Sequence, residues 1–172
     1  QKVDENVMLF HVPLPIRFKV DGQIVDLKLQ ITKTAEDFYF PLAKAPSIVL
    51  IDPDVTLLAK FSFTPSTALL HAQLADDSEA LGRLQAVEIL AKRKDKTTRE
   101  KLKHALQNDS FYAVRIAASK ALRGIGGDDA LAALTDSTDQ PNAKVRQQVI
   151  SNIASHYKPA ALAALKQSLA KE

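Results

Sequence analysis

Three arginines recur in one setting along the second half of this sequence: Arg83 in LGRLQAVEIL, Arg115 in AVRIAASKAL and Arg146 in KVRQQVISNI, spaced 32 and 31 residues apart. Asp77 and Asp109 stand six residues before the first two, and Asp139 stands seven before the third. Guanidinium and carboxylate groups form forked, charge-assisted hydrogen bonds. A recurring Asp and Arg can therefore bond to each other and across to the next copy of the repeat, giving a ladder of Asp77, Arg83, Asp109, Arg115, Asp139 and Arg146. Single surface ion pairs contribute little, but a threefold recurrence in register argues for the ladder. Its chemistry is structural rather than catalytic.

Other reactive residue types lack the spacing that chemistry requires. His11, His71, His104 and His156 are scattered and make no ligand set. With no cysteine, the chain has no disulfide, no thiolate metal site and no cysteine nucleophile. There is no Gly-x-Ser-x-Gly elbow for a serine nucleophile. Gly124-Ile125-Gly126-Gly127 follows a helical pattern where a dinucleotide fold needs a strand, and it reads as a helix stop. Asp76-Asp77 and Asp128-Asp129 fall at expected helix starts, where carboxylates offset the helix dipole. The basic run Lys92-Arg93-Lys94-Asp95-Lys96, continuing through Arg99, Lys101 and Lys103, has no interleaved aromatic on which bases could stack. It reads as a solvated loop and helix face.

Composition sets the remaining bounds. The 172 residues are 46% hydrophobic and 25% charged, as in ordinary globular chains. The net charge of +3 is uneven: residues 1–65 carry 7 Lys+Arg against 8 Asp+Glu, and residues 66–172 carry 16 against 12. That excess is too mild and too dispersed for a nucleic-acid footprint, so no nucleic-acid partner is expected. No apolar run is long enough to span a bilayer, and no membrane partner is expected. The opening residue is Gln, and a strand pattern follows within a dozen residues, which suggests a piece of a longer protein. Compartment is not legible.

The elements that would position these residues fall into two kinds. Ile16-Arg17-Phe18-Lys19-Val20 alternates apolar with charged, and Leu27, Leu29 and Ile31 resume the alternation after an Asp21-Gly22 turn, the mark of a hairpin. Val7 to Val12, Phe38-Phe40-Leu42, Ser47 to Ile51 and Leu57 to Phe63 add further strands. About six strands at this spacing predict an antiparallel sandwich over residues 1–65. Pro13 and Pro15 place the first strand pair at an edge or a bend. Near Thr64-Pro65-Ser66 the apolar period lengthens from two to about 3.6. Residues 66–172 then read as seven short helices, with Ser78 capping the second: a leading helix and three hairpins. Small residues Ala86, Ala117, Ala118 and Ala121 permit close helix approach. A repeat of this period means stacked helical pairs, each unable to bury its apolar face alone. The short link predicts two rigidly docked domains. The fold class is thus an all-β sandwich followed by an all-α solenoid.

The second half resembles the HEAT repeat family in its short bacterial form. Asp109, Val114-Arg115, Ala118, Ala121-Leu122 and Ile125-Gly126 carry the likeness, matched by Val145-Arg146, Val149 and Ile153 and by Arg83, Ala86 and Leu90. The resemblance implies a surface that binds proteins or braces larger enzymes.

The first half, through Phe10-His11-Val12-Pro13-Leu14-Pro15, the Asp21-Gly22 hairpin, Phe38-Tyr39-Phe40 and Ser47 to Pro53, resembles the small β domain of M1 zinc aminopeptidases. In that family such a domain precedes a helical C-terminal domain. This resemblance implies a non-catalytic portion that braces a catalytic domain and walls the cavity through which peptide substrate reaches the zinc. The family's His-Glu-x-x-His motif is absent here, so no cofactor is expected within this chain, and zinc would belong to a catalytic domain outside it. The other reading is a scaffold without enzymatic parentage, offering a concave HEAT surface to another protein.

Overall fold

The computed structural model describes residue 1 and residues 5–170. Two compact units divide the chain, Gln1–Gln73 and Leu74–Glu172.

The first unit is built on strands β1 (Val12–Val20), β2 (Gln23–Ile31) and β3 (Ile48–Ile51), in the order β2-β1-β3. β1 and β2 form the expected hairpin. Asp21 and Gly22 both take positive φ, 50° and 79°, the pairing that a two-residue turn needs to match the twist of its strands. Alternation then sends Ile16, Phe18 and Val20 to one face, where they are buried, with Val25, Leu27 and Leu29 beside them.

The sandwich is not found: the described residues contain one three-stranded antiparallel sheet. Phe40 and Leu42 pack on the buried face of that sheet, with the Phe40 ring 4.9 Å from Phe18. They do so from irregular backbone, flanking Pro41. Proline has no N–H to give to a ladder, so this segment covers the core without becoming a strand. Residues 57–63 are also irregular. Upstream of them Asp52 draws the Thr56 and Leu57 amides into a turn, donor to oxygen 2.9 Å each.

Pro13 and Pro15 lie inside β1, the central strand. Their position is tolerable because β1 pairs with β3 only from Ile16 to Lys19. Pro15 still accepts a bond from the Asp52 amide at 2.8 Å, so the carbonyl is used on that side and the missing N–H is not needed.

Among the described residues seven helices follow: α1 (Thr67–Leu74), α2 (Ala80–Leu90), α3 (Lys96–Asn108), α4 (Tyr112–Ile125), α5 (Asp128–Thr135), α6 (Ala143–Ala154) and α7 (Pro159–Leu169). In the second unit α2/α3, α4/α5 and α6/α7 are successive hairpins. Helices α2, α4 and α6 pack side by side in one layer, and α3, α5 and α7 in a second. Ala86 and Ala118 are fully buried and Ala121 nearly so, which allows close approach within the first layer. Leu90, Leu102, Leu106, Val114, Leu122, Leu134, Val145, Val149 and Ile153 fill the space between layers with no exposed surface.

The helix ends are set by local chemistry. Asp95 accepts from the Thr98 amide at 2.8 Å and starts α3. Asn142 does the same for α6 through Lys144 and Val145, and Pro159 opens α7. Gly126 and Gly127, at φ 70° and 88°, end α4 and turn the chain into α5. Ser78 does not cap α2. Glu79 occupies the cap position with no side-chain capping bond, and the Ser78 hydroxyl donates to Asp76 at 2.9 Å instead.

Candidate functional site

The turns that enter α2, α4 and α6 collect the arginines singled out by the sequence. Arg83, in the second turn of α2, is 2% exposed and makes a forked pair with Asp109: Nε to Oδ2 at 2.8 Å and Nη2 to Oδ1 at 3.1 Å. Asp109 is the residue that ends α3, so the pair ties one hairpin to the entry of the next. The third arm of the guanidinium, Nη1, donates to the Asp76 carbonyl at 2.8 Å. The Asp109 carboxylate also accepts from the Phe111 amide at 2.8 Å. A single buried pair therefore fixes both the turn before α2 and the turn before α4.

Arg146 repeats the backbone part of this arrangement. Its Nη1 donates to the Gln140 and Pro141 carbonyls at 2.9 and 3.3 Å, closing the turn before α6 as Arg83 closes the turn before α2. The middle copy differs. Arg115 Nε is buried and has no hydrogen-bond partner among the described residues, and the same holds for Gln140 Oε1. Gln140 stands six residues before Arg146, where Asp77 and Asp109 stand before their arginines. Its Nε2 donates to the Leu106 carbonyl at 3.1 Å. Asp77 and Asp139 are exposed. Arg83 and Asp109 are brought together side chain to side chain, and in the first and third copies an arginine also holds the turn through backbone carbonyls.

Charge pairs between successive hairpins recur in the second layer. Arg99 Nη2 lies 3.3 Å from Asp129 Oδ2, Lys103 Nζ lies 2.6 Å from Asp136 Oδ2, and Lys158 bonds Asp128. The basic run of α3 is thus partly paired with the next hairpin. Its counter-charges lie 30 and 33 residues away, at one repeat length, and that spacing is the feature of the sequence that could have revealed them. The Asp128 carboxyl is held below its usual value, first by the hydrogen bond from Lys158 and then by the attraction of that charge. Asp128 and Asp129 also occupy the first turn of α5, the helix-dipole position expected of them.

Beside the Arg83–Asp109 pair lies a feature the sequence reasoning missed. Leu81, Tyr112 and Lys144 occupy the first or second position of α2, α4 and α6, at spacings of 31 and 32 residues. Leu81, Phe111 and Tyr112 are exposed. The rings of Phe111 and Tyr112 meet edge to face at 5.2 Å, and Lys144 Nζ lies 5.7 Å from the centre of the Tyr112 ring. Recurrence at the repeat period, applied to the first residues of each helix as it was to arginine, would have found this row.

Among the described residues no group of three or more His, Asp or Glu could hold a metal ion. No helix of the described residues is long and apolar enough to cross a membrane.

A family model described as HEAT repeats matches residues 67–154, just over half of the chain. No curated protein and no solved structure matches it. The hairpin layers and the family match lead to one assignment: this chain belongs to the HEAT-repeat family.

Proposed function

We propose that the chain is a protein-binding scaffold whose recognition surface is the row Leu81, Phe111, Tyr112 and Lys144 at the N-terminal ends of α2, α4 and α6. The observation that carries this reading is the exposed aromatic pair Phe111–Tyr112, held on a turn that the buried Arg83–Asp109 pair makes rigid. Aromatic side chains on a pre-ordered backbone are the residues from which interfaces draw most of their energy. HEAT solenoids present extended surfaces of this kind to other proteins.

The reading is tested with a photoreactive residue placed at Tyr112 or, as a control, at exposed Lys101 on α3, followed by capture from the source proteome. A defined polypeptide captured from position 112, and lost when Leu81→Ala is added, supports it. The same set of products from both positions would overturn it.

The order of a small antiparallel β unit followed by HEAT hairpins supports a second reading, in which the chain is the bracing C-terminal portion of an M1-like zinc aminopeptidase. In that setting its partner is a catalytic domain, and the helical part walls the path of a peptide to the zinc. An intact His-Glu-x-x-His upstream of Gln1 in the natural polypeptide supports this parentage. A degenerate motif there returns the chain to the scaffold reading.

A further inference from the structure

We infer that the open edge of β2 is an interface for a second copy of this chain, paired antiparallel about a two-fold axis through Leu27. Among the described residues β2 is a nine-residue edge strand, bonded to β1 on one side only. The Pro15 carbonyl accepts from the Asp52 amide beyond the end of β3, so odd-numbered residues of β1 direct their backbone groups toward β3 and even-numbered ones toward β2. Through the register Ile16↔Leu27 and Phe18↔Val25, the odd-numbered residues of β2 are the ones bonded to β1. The N–H and C=O groups of Ile24, Asp26, Lys28 and Gln30 therefore face the open edge.

The side chains along that edge choose the partner. In a symmetric antiparallel pair centred on Leu27, Asp26 stands opposite Lys28 of the second copy, and Lys28 opposite its Asp26. Ile24 faces Gln30, Val25 faces Leu29, and Leu27 faces itself. Every outward backbone group then meets an outward backbone group. Moving the axis to Asp26 or to Lys28 keeps the backbone bonds but sets carboxylate against carboxylate or ammonium against ammonium, which is unfavourable for residues directly opposite.

The Asp26 carboxylate is prepared for this position. It takes two bonds from Arg17, at 2.7 and 2.9 Å, while its side chain remains 56% exposed. Val25, Leu27 and Leu29 are only partly buried, and a second strand would cover their open flank and make the sheet continuous over six strands. Closed two-fold pairing of one patch with itself is the commonest form of assembly, and a long unpaired edge strand invites it.

Because the chain has no cysteine, the register can be read by oxidation. Residues facing each other across the axis in a non-hydrogen-bonded pair have Cα atoms about 4.5 Å apart, within disulfide reach. Full-length chain carrying Leu27→Cys should form a covalent dimer under mild oxidation, and chain carrying Val25→Cys, whose own counterpart is several residues away across the axis, should not. In the otherwise unaltered chain, Lys28→Glu opposes like charges twice and should weaken the dimer seen by sedimentation roughly tenfold or more, whereas Lys101→Glu should leave it unchanged. Equal crosslinking of the two cysteine variants, an unaltered chain that stays monomeric across the accessible concentration range, or a dimer indifferent to Lys28→Glu would each overturn the inference.

Discussion

Arg83 and Asp109 lie twenty-six residues apart in sequence and form a two-pronged ion pair whose side chains are only 2% and 5% exposed. A buried charge that loses its partner costs far more than an intact pair contributes, about 3–5 kcal/mol. Asp109→Asn, which keeps the shape and one acceptor but removes the charge, should destabilise the helical unit by an amount in that range. The check is urea unfolding followed by the helical dichroism signal. Replacing both partners by apolar residues, Arg83→Met with Asp109→Leu, should cost less than Asp109→Asn alone. Additive losses in the double variant would contradict the pairing. Asp109 also holds the Phe111 amide, so exchange of that amide hydrogen should speed up in Asp109→Asn.

Arg115 occupies the corresponding place one repeat later but has no equivalent counter-charge among the described residues, since Gln140 stands where an aspartate would complete the pattern. Arg115→Met therefore leaves no buried carboxylate unpaired. Its effect should stay within about 1 kcal/mol, well below that of Arg83→Met, which strands Asp109. Comparable losses for the two arginine variants would show that the middle copy is paired after all.

Ser119 and Asn152 are both fully buried, and Asn152 Nδ2 donates to Ser119 Oγ at 2.7 Å between α4 and α6. Ser119→Ala leaves that amide donor without its partner, a loss of about 1–3 kcal/mol. By contrast Lys103→Ala, which removes a partly exposed pair with Asp136, should change stability by about 0.5 kcal/mol or less. Chemical denaturation of both variants at one salt concentration separates the two cases. A larger loss from Lys103→Ala than from Ser119→Ala would refute the ranking.

Asp52 is 2% exposed and accepts from the Thr56 hydroxyl at 2.8 Å and from the Thr56 and Leu57 amides at 2.9 Å each. Burial alone would raise its pKa, but these hydrogen bonds outweigh the burial and hold it below the ordinary 3.8. A depressed folded-state value stabilises the fold fully above the unfolded pKa, and the benefit is lost as pH falls through the lower folded value. Asp52→Asn should therefore be less stable than the unaltered chain at neutral pH, with the gap closing only as acid protonates Asp52, below the ordinary aspartate value. A gap that stays constant into that acid range would remove the carboxylate from the explanation.

The elements that the sequence revealed share one property: local spacing carries them. Asp21-Gly22 between two alternating runs could turn only by positive φ at both residues. The Ala- and Leu-rich periods after residue 66 could bury an apolar stripe only as helices, and the three arginines marked the repeat before any packing was known. The strand pattern at Phe38, Phe40 and Leu42 misled because alternation reports which side chains face a core, and a proline-flanked coil can satisfy that as well as a strand.

The sequence by itself thus determined the hairpin, the seven helices and the register of the repeat. Only the tertiary structure decided which charge meets which. Asp77 precedes Arg83 by six residues, yet the arginine reaches past it to the Asp76 carbonyl and across to Asp109, at the end of α3 in the turn that enters α4. Stacking sets that choice: packing α4 on α2 brings the turn that enters α4 against α2 and excludes water there, and a guanidinium removed from water must take the carboxylate that is buried with it.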